Sequence, residues 1–266
     1  MNSSSGKGMY RRPTSARELA KGLKSLISFF TVIPLGMDED TIVYAAKFVY
    51  LSPLVGFLIG ASATTVALCL LRRFDPMIVG FLTLGFIYMI TGLYHVDGLA
   101  DFGDALLCIG PPEKKLKVMK DERVGVGGLA LMVFTFSTTG IVMANIMSKG
   151  LAYFLVASEV MAKFSIVIGT YHGKPLSKGT GYLFIEHMRN QGVLKLLTSM
   201  ILSIMLTCPL VGIMSSIYLI STAWLTALLI VHVAHKALGC VTGDVLGAIN
   251  EISRMTTLLV IEGMIG

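Results

Sequence analysis

Apolar runs long enough to cross a bilayer recur along this chain, and they constrain its fold more than any other feature. A helix needs about 20 residues to span the hydrocarbon, and such runs lie near 48–71, 77–94, 125–147 and 151–171. The apolar stretch from Val193 to Leu238 is too long for one helix, and Pro209 with Gly212 to Ser216 divides it into two. A last helix, Gly239 to Met264, is polar in its first half and apolar in its second. The expected fold is all-α, a polytopic membrane bundle of about seven transmembrane helices. Composition agrees: 14% of the 266 residues are charged, against about 25% in soluble domains.

The segments outside these runs set the domain plan and the topology. Residues 1–25 read as a basic cytoplasmic arm and 26–266 as a single transmembrane domain. The arm carries Lys7, Arg11, Arg12, Arg17, Lys21 and Lys24 against Glu18 alone. Leu26 to Leu35 is apolar but too short to span, and an interfacial or re-entrant segment is expected there. Cys69, Cys108, Cys208 and Cys240 are widely separated and form no C-x-x-C pair, so neither a zinc site nor a disulfide framework is expected.

With the N-terminus in the cytoplasm, that side holds the arm cations and Lys47. It also holds Lys114, Lys115, Lys117, Lys120 and Arg123 of the 95–124 loop, then Lys174, Lys178, Arg189, Lys195, Lys236 and Arg254. That is 18 of the 22 Lys and Arg, leaving Arg72, Arg73 and Lys149 outside and Lys163 within a span. This bias places the protein in the cytoplasmic membrane with its polar loops facing inward.

Chemistry concentrates in His95-Val96-Asp97-Gly98-Leu99-Ala100-Asp101-Phe102-Gly103-Asp104. In a helix Asp97, Asp101 and Asp104 fall at i, i+4 and i+7, on one face. Three like charges at a membrane edge need a cation, and hard oxygen ligands favour Mg²⁺ or Mn²⁺. Gly98, Ala100 and Gly103 are expected to leave the backbone accessible. His95 precedes this face, where it can accept a proton, touch phosphate or cap the interface.

Downstream, Lys114 to Arg123 leads into Val124-Gly125-Val126-Gly127-Gly128, and basic residues beside backbone N–H groups suit a phosphate-bearing substrate. Near the C-terminus, Gly239, Gly243 and Gly247 share a helical face, with Thr242, Asp244, Asn250 and Glu251 around it. Asp244 and Glu251 are expected to complete the metal or substrate site. Glu159 and Lys163, spaced i, i+4 within a span, are expected to form an ion pair. His232 and His235 read as a helix-end cluster rather than a metal site.

These residues resemble the cobalamin synthase family, the adenosylcobinamide-GDP ribazoletransferases. Four motifs carry the resemblance: Ser28-Phe29-Phe30-Thr31-Val32-Ile33-Pro34; His95-x-Asp97-Gly98-Leu99-Ala100-Asp101-x-x-Asp104; Met119-Lys120-Asp121-x-Arg123-x-Gly125; and Thr242-Gly243-Asp244-x-Leu246-Gly247-Ala248 followed by Glu251. The chain departs from bacterial members, which often carry Ser-Arg in the middle helix where Ser158-Glu159-Val160 stands here.

The resemblance implies that α-ribazole, or its 5′-phosphate, attacks adenosylcobinamide-GDP with release of GMP. Asp97, Asp101 and Asp244 are then the expected metal ligands. Lys120 and Arg123 offset charge on the departing GMP, and Asp104 or His95 takes the proton. Asp121, Gly125, Gly127, Gly128, Thr242, Gly243 and Glu251 are expected to bind substrate. The lipid bilayer is a partner, nucleic acid is not, and the sequence is compatible with a homo-oligomer. Two alternatives stand beside this: a CDP-alcohol phosphotransferase, which shares a spaced Asp-Gly-x-x-Ala signature, and a cation transporter whose path is lined by Asp97, Asp101, Glu159 and Asp244.

Overall fold

The computed structural model describes residues 15–36 and 38–265, and every regular element among them is a helix. Lys7, Arg11 and Arg12 of the basic arm lie outside the described residues. The first helix, α1 (Ala16–Phe30), starts inside the stretch expected to be an arm. A capping box explains it: the Ser15 hydroxyl accepts from the Glu18 N–H at 3.2 Å, and Glu18 accepts from the Ser15 N–H at 3.3 Å. Leu26 and Phe30 are buried while Arg17 and Lys24 stay exposed, so the short apolar stretch is half of an amphipathic helix. The chain after it is anchored by the Val32 N–H donating to the Ile90 carbonyl at 2.8 Å.

After α2 (Thr41–Lys47) come α3 (Ser52–Leu70), α4 (Pro76–Ile90), α5 (Tyr94–Leu107), α6 (Pro112–Val118), α7 (Val126–Ser148) and α8 (Phe154–His172). The remainder is α9 (Thr180–Arg189), α10 (Gly192–Val211), α11 (Ile213–Leu238) and α12 (Gly243–Ile265). The stretch 172–192, expected as a loop, therefore contains a helix. The long apolar stretch divides at Gly212, whose φ of 80° ends α10, and Pro209 is accommodated inside α10.

Among the described residues, five helices are long and apolar enough to cross a membrane on their own: α3 with the turn before it, α7, α8, α10 and α11. A sixth is reached only by joining α4 to α5, which bend by 96° at Thr91 to Leu93. Gly92 and Leu93 take left-handed φ values of 67° and 62° there. The seventh expected span, α12, carries Asp244, Glu251, Arg254 and Glu262, yet it runs beside α7 to the same end of the bundle. There Asn145 donates to Glu262 at 2.6 Å and Lys149 to the Ile265 carbonyl at 3.2 Å.

The spine of the bundle is α8, buried from Leu155 to Thr170 and packed by α3, α10, α11 and α12. The expected close approach at Gly56 and Gly60 is made to this helix: a Cβ at Gly60 would lie 2.6 Å from the Val156 Cα. Glycine there lets two backbones meet where any side chain would hold them apart.

Candidate active site at the crosswise helix

The bend at Thr91 to Leu93 sets α5 crosswise to α4, over the N-terminal ends of α7 and α12. Small residues seat it. A Cβ at Gly98 would lie 2.7 Å from the Asp244 carbonyl oxygen, and one at Gly103 would lie 2.9 Å from the Gly127 carbonyl oxygen. These glycines therefore make helix contacts rather than open backbone for a ligand. The helical register holds as expected, with Asp97 exposed and Asp101 and Asp104 half-buried.

The three acids have different surroundings. Asp104 accepts from the Gly125 N–H at 2.7 Å and the Gly128 N–H at 2.8 Å, one bond to each carboxylate oxygen. The glycine-rich start of α7 does present N–H groups to an anion, and that anion is the protein's own Asp104. Gly125 and Gly128 thus serve to dock α5 on α7. Neither Asp97 nor Asp101 has a hydrogen-bonded or ionic side-chain partner among the described residues. Burial pushes the Asp101 carboxyl up to about 7, with the charges of Asp244, Asp97 and Asp104 adding to it.

Asp244 reaches this acidic face from the first turn of α12, where the Thr242 hydroxyl lies 3.3 Å from its carboxylate. No three His, Cys, Asp or Glu side chains among the described residues form a group that could hold a metal. Mg²⁺ does not need three: it is usually held by one or two carboxylates, the rest of its shell being substrate phosphate and water. Two hard, unpaired carboxylates beside a third fit that requirement.

The other expected site residues divide. Lys120, Thr242, Gly243 and Asp244 line a cleft of about 670 Å³ that opens beside the acidic face, between α6 and residues 176–182. Arg123 points to solvent and forms a two-pronged pair with Asp121, both contacts at 3.0 Å. That pair holds Asp121 below the usual carboxylate range.

His95 lies two residues before Asp97, about 200° round the helix, and is buried under α5 against the Phe30 ring. Burial pushes its imidazole well below the usual value, and Lys163 and Arg254 add to that. Its Nδ1 has no partner among the described residues.

Glu251 sits two turns below Asp244 and is buried. Arg254 bonds Glu251 and also Glu159 on α8, while Asn250 donates to Glu251 at 2.9 Å. Lys163 donates to Asn250 at 2.6 Å. The pair expected within α8 is therefore replaced by bonds from α8 to α12, because both side chains face that helix. Glu159 is tied to arginine inside the packed core, which does not suit the wall of an ion path.

Lys117, Lys178 and Tyr182 also line the cleft, and the sequence did not single them out as site residues. Lys117 and Lys178 stand 61 positions apart, so only the fold brings them together.

An all-α polytopic membrane protein is thus defined, with a carboxylate face and a lysine-lined cleft at one end of its bundle. A family model described as cobalamin-5-phosphate synthase matches residues 22–262, and the chain belongs to that family. Curated relatives named adenosylcobinamide-GDP ribazoletransferase include one from Methanosarcina mazei, 30% identical over 90% of each chain. One from Methanocella arvoryzae is 30% identical over 91% of this chain and 96% of its own. Another, from Clostridium tetani, is 31% identical over 80% of this chain and 84% of its own. No solved structure matches.

Proposed function

We propose that this transferase joins α-ribazole, or its 5′-phosphate, to adenosylcobinamide-GDP, releasing GMP, with the site end of the bundle facing the cytoplasm. A ribose hydroxyl of the ribazole attacks the phosphorus that carries the corrinoid side chain. The bond between that phosphorus and the bridging oxygen breaks, GMP leaves with the oxygen, and the hydroxyl proton goes to a carboxylate. The observation that carries this is the meeting of the unpaired acids Asp97 and Asp101 with the lysine-lined cleft at Asp244, in a chain of this family.

Asp97 and Asp101 would hold Mg²⁺. When bound, the ion would neutralise the diphosphate and polarise the phosphorus under attack. Asp244, between the acidic face and the cleft, would take the hydroxyl proton. Asp104 is a positioning residue, since both its oxygens hold the start of α7. His95 supports α5 from its opposite face. Lys120 meets phosphate charge at the cleft, whereas Arg123, turned to solvent beside Asp121, does not.

Incubating the purified protein with adenosylcobinamide-GDP, α-ribazole and Mg²⁺ should yield GMP and a completed cobamide in equal amounts. Asp97→Asn should abolish turnover while the protein remains inserted and folded. Its Mg²⁺ affinity should fall by about 10- to 100-fold or more, since even outer-shell losses cost that much. A wild type that makes no cobamide, or an Asp97→Asn variant with undiminished turnover, sinks the assignment.

A further inference from the structure

The cleft beside Asp244 has one wall from α6 and the turn after it and the other from the strap 173–182. Contacts with the start of α12 hold the strap in place. Pro175 and Val241 form a parallel bridge, the Val241 N–H donates to the Lys174 carbonyl at 2.7 Å, and the Lys174 N–H donates to His235 at 3.0 Å. Gly181 rests on the chain at Thr242 and Gly243, where a Cβ would come within 2.7 Å of the Gly243 nitrogen. The opening is therefore part of the folded frame.

Its lining carries three lysines and a tyrosine beside the carboxylates of Glu113 and Asp244. Lys117 and Lys120 project from one wall and Lys178 from the other. None of the three has a carboxylate partner among the described residues. The strap ends in α9, whose N-cap is Gly179 and whose first turn receives no side-chain cap. Its N–H groups are thus available to an oxyanion. Tyr182, half-buried, supplies a ring on the same wall. The volume of about 670 Å³ lies within the roughly 300–1,000 Å³ of small-molecule sites. It suits a nucleotide, while a corrin ring must stay outside.

We infer that this cleft seats a nucleoside 5′-phosphate, with the phosphate between Lys117, Lys120, Lys178 and the start of α9, and the base against Tyr182. The inference rests on the proposed transfer only for the identity of the nucleotide. Two sources share the chemistry: the guanylate half of the activated corrinoid, and a ribazole that arrives already 5′-phosphorylated.

The test is binding to the purified full-length protein, with GMP, guanosine, inorganic phosphate, α-ribazole and α-ribazole 5′-phosphate as separate probes. At least one of the two nucleotides should bind more tightly than its own nucleoside. Lys117→Gln/Lys178→Gln should weaken that nucleotide by about tenfold or more, since a charge-assisted hydrogen bond is lost at each position. Tyr182→Leu should weaken the nucleotide but not inorganic phosphate. Lys114→Gln, outside the cleft, should change nothing.

GMP as the tight ligand assigns the cleft to the leaving guanylate, and ribazole 5′-phosphate assigns it to the incoming nucleotide. Nucleotide binding that the lysine pair and Tyr182→Leu both leave unchanged overturns the inference, as does a wild type that binds neither nucleotide. Lysine-dependent GMP binding without cobamide formation would keep the cleft and reject the transferase reaction. Cobamide formation with lysine-independent binding would do the reverse.

Discussion

Asp101 is half-buried within the electrostatic reach of three other carboxylates, and it meets no cation of the protein among the described residues. A proton relieves the burial of its charge first and that repulsion second, which is why its carboxyl is pushed up to about 7. A divalent ion relieves it in the same way, so the two compete. Apparent Mg²⁺ affinity should therefore fall as pH drops below about 7 and level off above it, where the carboxylate is already ionised. Titrating Mg²⁺ calorimetrically at pH 6 and pH 8 should give the weaker constant at pH 6. Asp101→Asn should bind more weakly at both values and lose most of the difference. A wild-type constant indifferent to pH would remove Asp101 from the ligand set. The acidic face was legible because 3.6-residue periodicity needs only the sequence. The bonds from Asp104 to the start of α7 were not, since they depend on how two helices seat. The same limit hid Lys178 and Tyr182.

Between elements, the contact of α8 with α12 combines tight packing with four buried charges. Glu159 and Lys163 of α8 meet Arg254, Glu251 and Asn250 of α12, all of them buried. Two acids and two bases cancel, and the hydrogen bonds satisfy groups that lipid could not. Arg254→Met leaves two carboxylates without their cation, which should cost about 3–5 kcal/mol of stability, as breaking a buried pair does. The double variant Glu251→Gln/Arg254→Met should recover much of that loss, because the remaining Glu159 and Lys163 then balance. Thermal unfolding in detergent measures both, and a single variant as stable as wild type would show that Arg254 is not the hub. An i, i+4 spacing identified Glu159 and Lys163 as partners, but it registers neighbours along one helix and is blind to a second helix facing both. The start of α1 was missed for a different reason. Its basic residues suggested a solvated arm, although Ser15 and Glu18 already stood at capping-box spacing.

At the level of the whole molecule, α5, the cleft and the strap before α9 all gather at one end of the bundle. Arg72 and Arg73 follow α3, and Lys149 follows α7, at the other end. The crossing pattern was readable because each span must be long and apolar. The exceptions are the helices that do other work: α4 gives up length to the bend, and α12 gives up apolarity to the buried charges. Substrates that carry phosphate do not cross lipid unaided, so the site end must face the compartment that holds them. The excess of Lys and Arg on that end is the ground for proposing that this compartment is the cytoplasm. In a background with the four native cysteines replaced, Lys149→Cys should react with a membrane-impermeant maleimide on intact cells. Lys114→Cys should react only after the membrane is opened. Both residues are exposed at opposite ends of the bundle, so the pair reports orientation and not merely access. Labelling of Lys114→Cys on intact cells, with Lys149→Cys protected, would turn the protein over and put its carboxylates where no nucleotide pool reaches them.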